Sequence, residues 1–173
     1  MIEMLPAACF SGIELESKYA AERRMVEARL NSEAWGKFEA IEEELVQLPQ
    51  SRPPLNHIFT PGLYVRECFL PKGHIFTTRI HLTEHPFVIS IGVVSIWSEE
   101  DGLVTLRAPY TGVTKAGTRR FLYAYEDTIF STFHVTDKTD PDEVEREITY
   151  CGGKYRELGL AAATPAERLL CTT

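Results

Sequence analysis

From Leu63 to Val135 the chain is a succession of short runs rich in β-branched and aromatic residues, broken by glycine- and proline-bearing turns. Leu63-Tyr-Val-Arg-Glu-Cys-Phe-Leu70 leads and Pro71-Lys-Gly73 turns it. His74 to His81, Phe87 to Trp97, Leu103 to Arg107, Gly112 to Lys115, Arg120 to Tyr125 and Thr128 to Val135 follow. Branched and aromatic side chains suit a pleated, half-buried surface, and the residues at Glu100-Asp-Gly102 and Ala116-Gly117 favour chain reversal. Many short strands at this rhythm predict an antiparallel sandwich or a closed barrel.

The flanks have a different period. Glu14 to Leu30 sets Leu15, Tyr19, Val26 and Leu30 at helical spacing, with Glu16, Lys18, Glu22, Arg23 and Arg24 among the other positions. Asn31 and Ser32 stop that helix and cap a second, about Glu33 to Leu48, which aligns Trp35, Phe38, Ile41, Leu45 and Leu48 on one face. Gly36 weakens its first turns, and Glu42, Glu43 and Glu44 read as a solvated face. The segment Pro49 to Pro54 ends the helical zone, because proline lacks the donor and restricts its predecessor. After the strands, Asp140 is placed to N-cap a helix with Pro141 at its first position, running to about Tyr150 before Gly152-Gly153. Thr164-Pro-Ala-Glu167 is a capping box for a last short helix. The expected division is a helical arm over 1–54, a barrel over 55–138 and a helical extension over 139–173.

A chain of 173 residues suits one domain with elaborations. A net charge of −7 excludes an extended nucleic-acid surface built on an overall positive field, and makes any local basic pocket more informative. Cys9, Cys68, Cys151 and Cys171 form no C-x-x-C pair and predict free thiols in a reducing cytoplasm. Met1 to Phe10 is apolar but carries Glu3 and no basic start, unlike a signal peptide. The apolar run Pro86 to Trp97 is about half the ~20 residues a membrane helix needs, and Ser90, Gly92 and Ser95 interrupt it. The expectation is a soluble protein with no membrane partner.

The barrel segment carries a recognisable spacing. Gly73 is followed by five residues to Arg79, then His81, then His85, then six residues to Gly92. This resembles the first motif of the cupin superfamily, G-x5-H-x-H-x3-E-x6-G, with Arg79 at the first histidine and His85 at the glutamate. The second cupin motif is matched at Gly117, with Lys115 for its proline, Arg120 for its histidine and Ala124 for its asparagine. The resemblance implies a mainly β fold, a single cupin-type double-stranded β-helix or jelly-roll barrel. The stretches Leu82 to Phe87, Ala108 to Arg120 and Thr132 to Asp140 also resemble small cupin-like proteins of bacteriophages. That likeness implies a viral setting, in the host cytoplasm or the virion, with a phage structural protein as a partner. The cupin resemblance further implies a homo-oligomer, dimer or higher, and a divalent ion such as iron, manganese, zinc or nickel.

In this sequence the family's ligand set is altered. A guanidinium stays protonated and cannot bind a metal, so Arg79 drops out. His81 and His85 remain, and a third ligand has to come from Glu84, His134 or His74. Glu84 is the nearest in sequence, although the period of two along a strand turns it away from His85. Arg79 and Arg120 replace ligand positions that project into the barrel, flanked by His81 and His85, with Lys115, Arg119 and Arg66 expected near the mouth. Buried guanidinium groups are costly without an anion. The reading is therefore a degenerate metal site that binds a small phosphate-, nucleotide- or carboxylate-bearing ligand through Arg79, His81, His85, Arg120, Lys115 and Tyr110. The plainer alternative is an internal salt-bridge network with Glu67 or Glu84. Arg119 and Arg120 are adjacent on a strand, so only one can face inward.

Two other classes compete. In one, the barrel is an inert scaffold and the helical arms bind neighbouring copies or a virion component. In the other, the chain is a metal- or histidine-dependent enzyme, with His81 or His85 as base and Tyr110, Tyr123 or Tyr125 as acid. Charged residues at pocket positions favour ligand binding, because a scaffold is more simply filled with apolar side chains.

Overall fold

The computed structural model describes residues 18–30, 32–45, 47–48 and 53–150. Two helices, α1 (Ala20–Arg29) and α2 (Glu33–Leu45), precede nine strands. These are β1 (Leu55–Thr60), β2 (Leu63–Leu70), β3 (Ile75–Thr77), β4 (His85–Ile91), β5 (Val93–Ser98), β6 (Gly102–Arg107), β7 (Tyr110–Thr114), β8 (Arg120–Ala124) and β9 (Thr128–Val135). Helix α3 (Pro141–Ile148) follows.

The strands form two antiparallel sheets, ordered β1-β2-β9-β4-β7 and β3-β8-β5-β6. The pairs β2·β9, β3·β8, β4·β7 and β5·β6 nest inside one another like one long hairpin rolled up on itself. That nesting is the double-stranded β-helix of a jelly roll, with β1 added at one edge. Gly92 makes one of its corners. The apolar run expected as one strand from Phe87 to Trp97 is two, and the chain crosses there from the five-stranded sheet to the four-stranded one. Gly92 has φ +93°, and a Cβ at this position would lie 2.3 Å from the Thr128 hydroxyl oxygen. Only glycine fits such a place. β1 was not separated from the preceding loop by the sequence pattern, and the strand expected over His74 to His81 shortens to β3.

Inside the barrel, Phe87, Ile89, Val94, Ile96 and Leu122 form the main core, and Cys68, Leu70 and Ala124 fill one end. The outer face of the four-stranded sheet is covered by α2, whose Phe38 ring lies 4.8 Å from that of Trp97. Glu42 departs from the sequence expectation. It is buried, accepts a hydrogen bond from the Thr77 hydroxyl at 2.8 Å and pairs with Arg119. The Arg119 guanidinium lies 4.9 Å over both Trp35 and Phe38. Leu48 is exposed rather than on the buried face, because α2 ends at Leu45.

Helix α3 starts as its sequence predicts, with the Asp140 carboxylate accepting from the backbone N–H groups of Asp142 and Glu143. Its Val144 and Ile148 pack against Tyr64 on the inner face of β2. The chain beyond it pairs with residues 80–82, through Leu82 N–H to Ile148 O at 2.7 Å and Tyr150 N–H to Ile80 O at 2.9 Å. Val26 of α1 and Trp35 of α2 pack on Ile80, Leu82 and Tyr150, so this short ladder is clamped from outside. Cys68 is a buried free thiol, pushed up to about 11 by desolvation. The expectations for Cys9, Cys151, Cys171, Leu15, Gly152-Gly153 and the Thr164–Glu167 capping box lie outside the described residues. No described helix is long and apolar enough to cross a membrane.

Candidate metal centre

The alternation of strand side chains decides what faces the barrel interior. On β9 the inward positions include Phe130, Thr132 and His134, and Tyr64↔His134, Arg66↔Thr132 and Cys68↔Phe130 are cross-strand pairs with β2. On the other side of β9, Phe87 of β4 is paired with Thr132. One pleat further along the same register His85 comes beside His134, and His85 is in turn opposite Thr114 of β7. His81 enters from the segment after β3, held by a bridge to Thr149.

Three histidines thus meet at the polar end of the barrel. The ring centroids of His81 and His85 are 4.4 Å apart, those of His85 and His134 4.3 Å, and those of His81 and His134 5.2 Å. All three are buried, and one ligand atom from each lies within 4.8 Å of the others. Among the described residues no hydrogen bond joins any two of them. Burial holds each imidazole neutral, lowering His85 to about 4 and His134 to about 3 and His81 well below the ordinary value. The mutual repulsion of their charged forms and the nearby Arg66 and Arg120 act in the same direction.

The hydrogen bonds around the rings suit a shared ion. A carbonyl only accepts, so the 3.1 Å contact from His85 Nδ1 to Thr83 O puts the proton on Nδ1 and the lone pair on Nε2. His134 Nε2 lies 3.1 Å from the Thr132 hydroxyl, while its Nδ1 is buried with no partner. His81 Nδ1 is likewise buried and without a partner. A buried ring nitrogen left without a partner is unfavourable, and a cation held by its lone pair in the Nε2-protonated tautomer removes that cost. Three imidazole nitrogens are a donor set for a divalent first-row transition metal, and these residues fit it.

The other sequence candidates fall in different places. Glu84 is exposed and outside the cluster, one position out of phase with His85, and His134 takes the third place. Arg79 pairs with Glu145 of α3 at 2.7 Å, with Arg66 at 3.9 Å from the same carboxylate oxygen. Its charge is therefore met from within the chain, by a residue the sequence analysis did not single out. Lys115 is exposed and pairs with Glu100. Tyr110 is exposed on β7, its ring 6.0 Å from that of Phe87. His57 and His74 are apart from the three, His57 lying 2.6 Å from the Tyr64 hydroxyl. Arg120 turns inward and Arg119 outward, as the alternation requires. The nesting of the strands makes the fold a jelly roll, a double-stranded β-helix.

No family model matches the chain, and no curated protein does. Solved structures do resemble its backbone. KdgF from Halomonas sp. aligns over 56% of this chain and 90% of its own, at 14% identity and a TM-score of 0.43. A cupin-2 domain containing protein from Shewanella frigidimarina aligns over 56% and 92%, at 14% identity and a TM-score of 0.40. An RmlC-like cupin family protein from Methanocaldococcus jannaschii aligns over 56% and 91%, at 9% identity and a TM-score of 0.41. The chemistry of the site rests on this chain's own residues.

Proposed function

We propose that the chain is a metal-dependent cupin in which His81, His85 and His134 hold a divalent first-row ion and the barrel takes up a small anionic ligand beside it. The observation that carries this reading is the convergence of three buried, neutral imidazoles, two of them with a ring nitrogen that has no partner. Imidazole donors favour zinc, copper, iron or nickel over calcium, magnesium and manganese. Such an ion, when bound, supplies Lewis-acid polarisation of an oxygen donor on the ligand.

The chain's own groups do the rest. Thr83 and Thr132 orient the rings of His85 and His134. Phe87, Ile89, Ile96 and Leu122 form an apolar floor that excludes water. Arg66 and Arg79 share the Glu145 carboxylate, while Arg120 is buried inside the barrel with Asp101 acting on it electrostatically. An anion is the ligand such a pocket selects. The bacteriophage setting and the homo-oligomer go forward as parts of the same proposal, resting on the sequence resemblance.

Native mass spectrometry of the full chain as purified, with elemental analysis of the same sample, tests the reading. The expected result is one transition-metal ion per chain together with a small anionic adduct, and the spectrum also reads the oligomer. A metal-free protein that takes up neither zinc nor cobalt on addition contradicts it.

A further inference from the structure

The three histidines rest on unlike supports. His85 and His134 are on β4 and β9, each paired within the five-stranded sheet. His81 belongs to neither sheet. Before it, Thr78 N–H still donates to Arg120 O at 2.8 Å, and β4 starts only at His85. In between, the His81 carbonyl accepts from Gly117 N–H of the β7–β8 turn at 2.7 Å. The opposite edge of this segment is held by residues 148–150. There Leu82 N–H donates to Ile148 O at 2.7 Å, Tyr150 N–H donates to Ile80 O at 2.9 Å, and Thr149 is bridged to His81.

Residues 148–150 are kept in place by distant parts of the chain. Helix α3 runs directly into them, and its eight residues are too few for a helix to be stable by itself. Val144 and Ile148 anchor it on Tyr64. Glu147 is buried, pairs with Lys18 ahead of α1 and accepts from the Thr136 hydroxyl at 2.6 Å. Tyr150 packs with Val26 of α1 and Trp35 of α2. A short element docked by a few apolar side chains and a buried charge pair opens locally while the barrel stays folded. When it opens, Ile80 and Leu82 lose their backbone partners, and the ligand set falls from three imidazoles to the two on paired strands.

Resting on the metal-centre reading above, we infer that residues 141–150 form a strap that sets His81 in its metal-binding position, with Glu147 as the latch, so that strap docking and metal occupancy are coupled. The coupling is reciprocal. By whatever factor the docked strap raises metal affinity, the metal raises the docking equilibrium. Glu147 is thus a positioning residue, acting on the centre through residues 148–150 and His81.

The test measures zinc affinity by calorimetry and amide exchange by NMR on the full chain, for wild type and Glu147→Lys, with and without zinc. Glu147→Lys puts a second ammonium against Lys18 in a buried place and should release the strap. In the metal-free variant the Leu82, Tyr150 and Gly117 amides should exchange faster by about 10-fold or more, while amides of the β5·β6 pair stay protected. Zinc should bind this variant about 10- to 100-fold more weakly than wild type. Saturating zinc should return Leu82 and Tyr150 toward wild-type protection, which a helix with a merely structural role would not show. A released strap with wild-type zinc affinity overturns the inference, as does a strap that stays released at saturating zinc. Unchanged exchange in Glu147→Lys overturns Glu147 as the latch. If Glu147→Lys does not fold, Lys18→Glu, on the exposed side of the same pair, decides by the same criteria. If wild type takes up no zinc, the metal reading fails by itself. The Gly117 amide, bonded to the His81 carbonyl, then judges the strap alone. Faster exchange there on strap release supports positioning, and unchanged exchange overturns it.

Discussion

Lowering the pH from 7 to 5 should strongly destabilise the metal-free protein. The ordinary histidine value is 6.5, and in the folded chain His85 is held at about 4 and His134 at about 3. Between those limits the unfolded chain binds protons that the folded chain refuses. Stability from these groups is therefore fully present above pH 6.5 and is lost as pH falls toward the folded values. Each histidine contributes a slope of about 1.4 kcal/mol per pH unit in that window. Integrated from pH 7 to pH 5, each costs about 2 kcal/mol and the pair about 4 kcal/mol, with His81 acting in the same direction. At this chain length the loss corresponds to a fall in Tm of roughly 8–15 °C. Glu145 opposes the trend, because burial raises its carboxyl, so the comparison needs a variant. Thermal or urea unfolding in chelator at pH 7, 6 and 5 should show the full slope for wild type and most of it lost in the His85→Gln/His134→Gln double variant. A wild-type loss below about 1 kcal/mol across that range, or an unchanged slope in the double variant, refutes the buried neutral cluster.

Three further outcomes follow from the same contacts. Glu42→Ala removes the carboxylate that binds Arg119 and Thr77 between α2 and the sheet, and should cost about 3–5 kcal/mol in chemical unfolding. Gly92→Ala forces a Cβ against Thr128 at a left-handed corner, and should cost about 2–4 kcal/mol or prevent expression of folded protein. Glu145→Gln leaves Arg79 and Arg66 without their carboxylate, and hydrogen exchange should rise selectively over residues 141–150 while the barrel strands stay protected.

The barrel was legible because its strands alternate and its turns are marked by glycine and proline, both local signals. The alternation also fixed that Arg119 and Arg120 diverge, since neighbours on a strand face opposite ways. His81 and His85 stood out because they lie four positions apart in the spacing that runs from Gly73 to Gly92. His134 did not, being far away in sequence. It was one of three open choices for a third ligand, and only the register of β9 against β4 brings it beside His85. The inward face of Glu42 was hidden by its acidic neighbours, and its burial depends on Arg119 meeting it from another part of the chain. Arg79 was read as a pocket group because nothing local marks Glu145 as its partner. The break at Gly92 was visible as a glycine but not as a corner, because the flanking residues are equally strand-like on both sides.

The central claim is that His81, His85 and His134 form one metal site, and a zinc titration of the metal-free full chain tests it most directly. Calorimetry should give one ion per chain for wild type and for Glu84→Gln. In His134→Ala the affinity should fall by about 100-fold or more, as expected for losing one of three ligands. Affinity that survives His134→Ala but is lost in Glu84→Gln would contradict the account and move the third ligand to the exposed carboxylate.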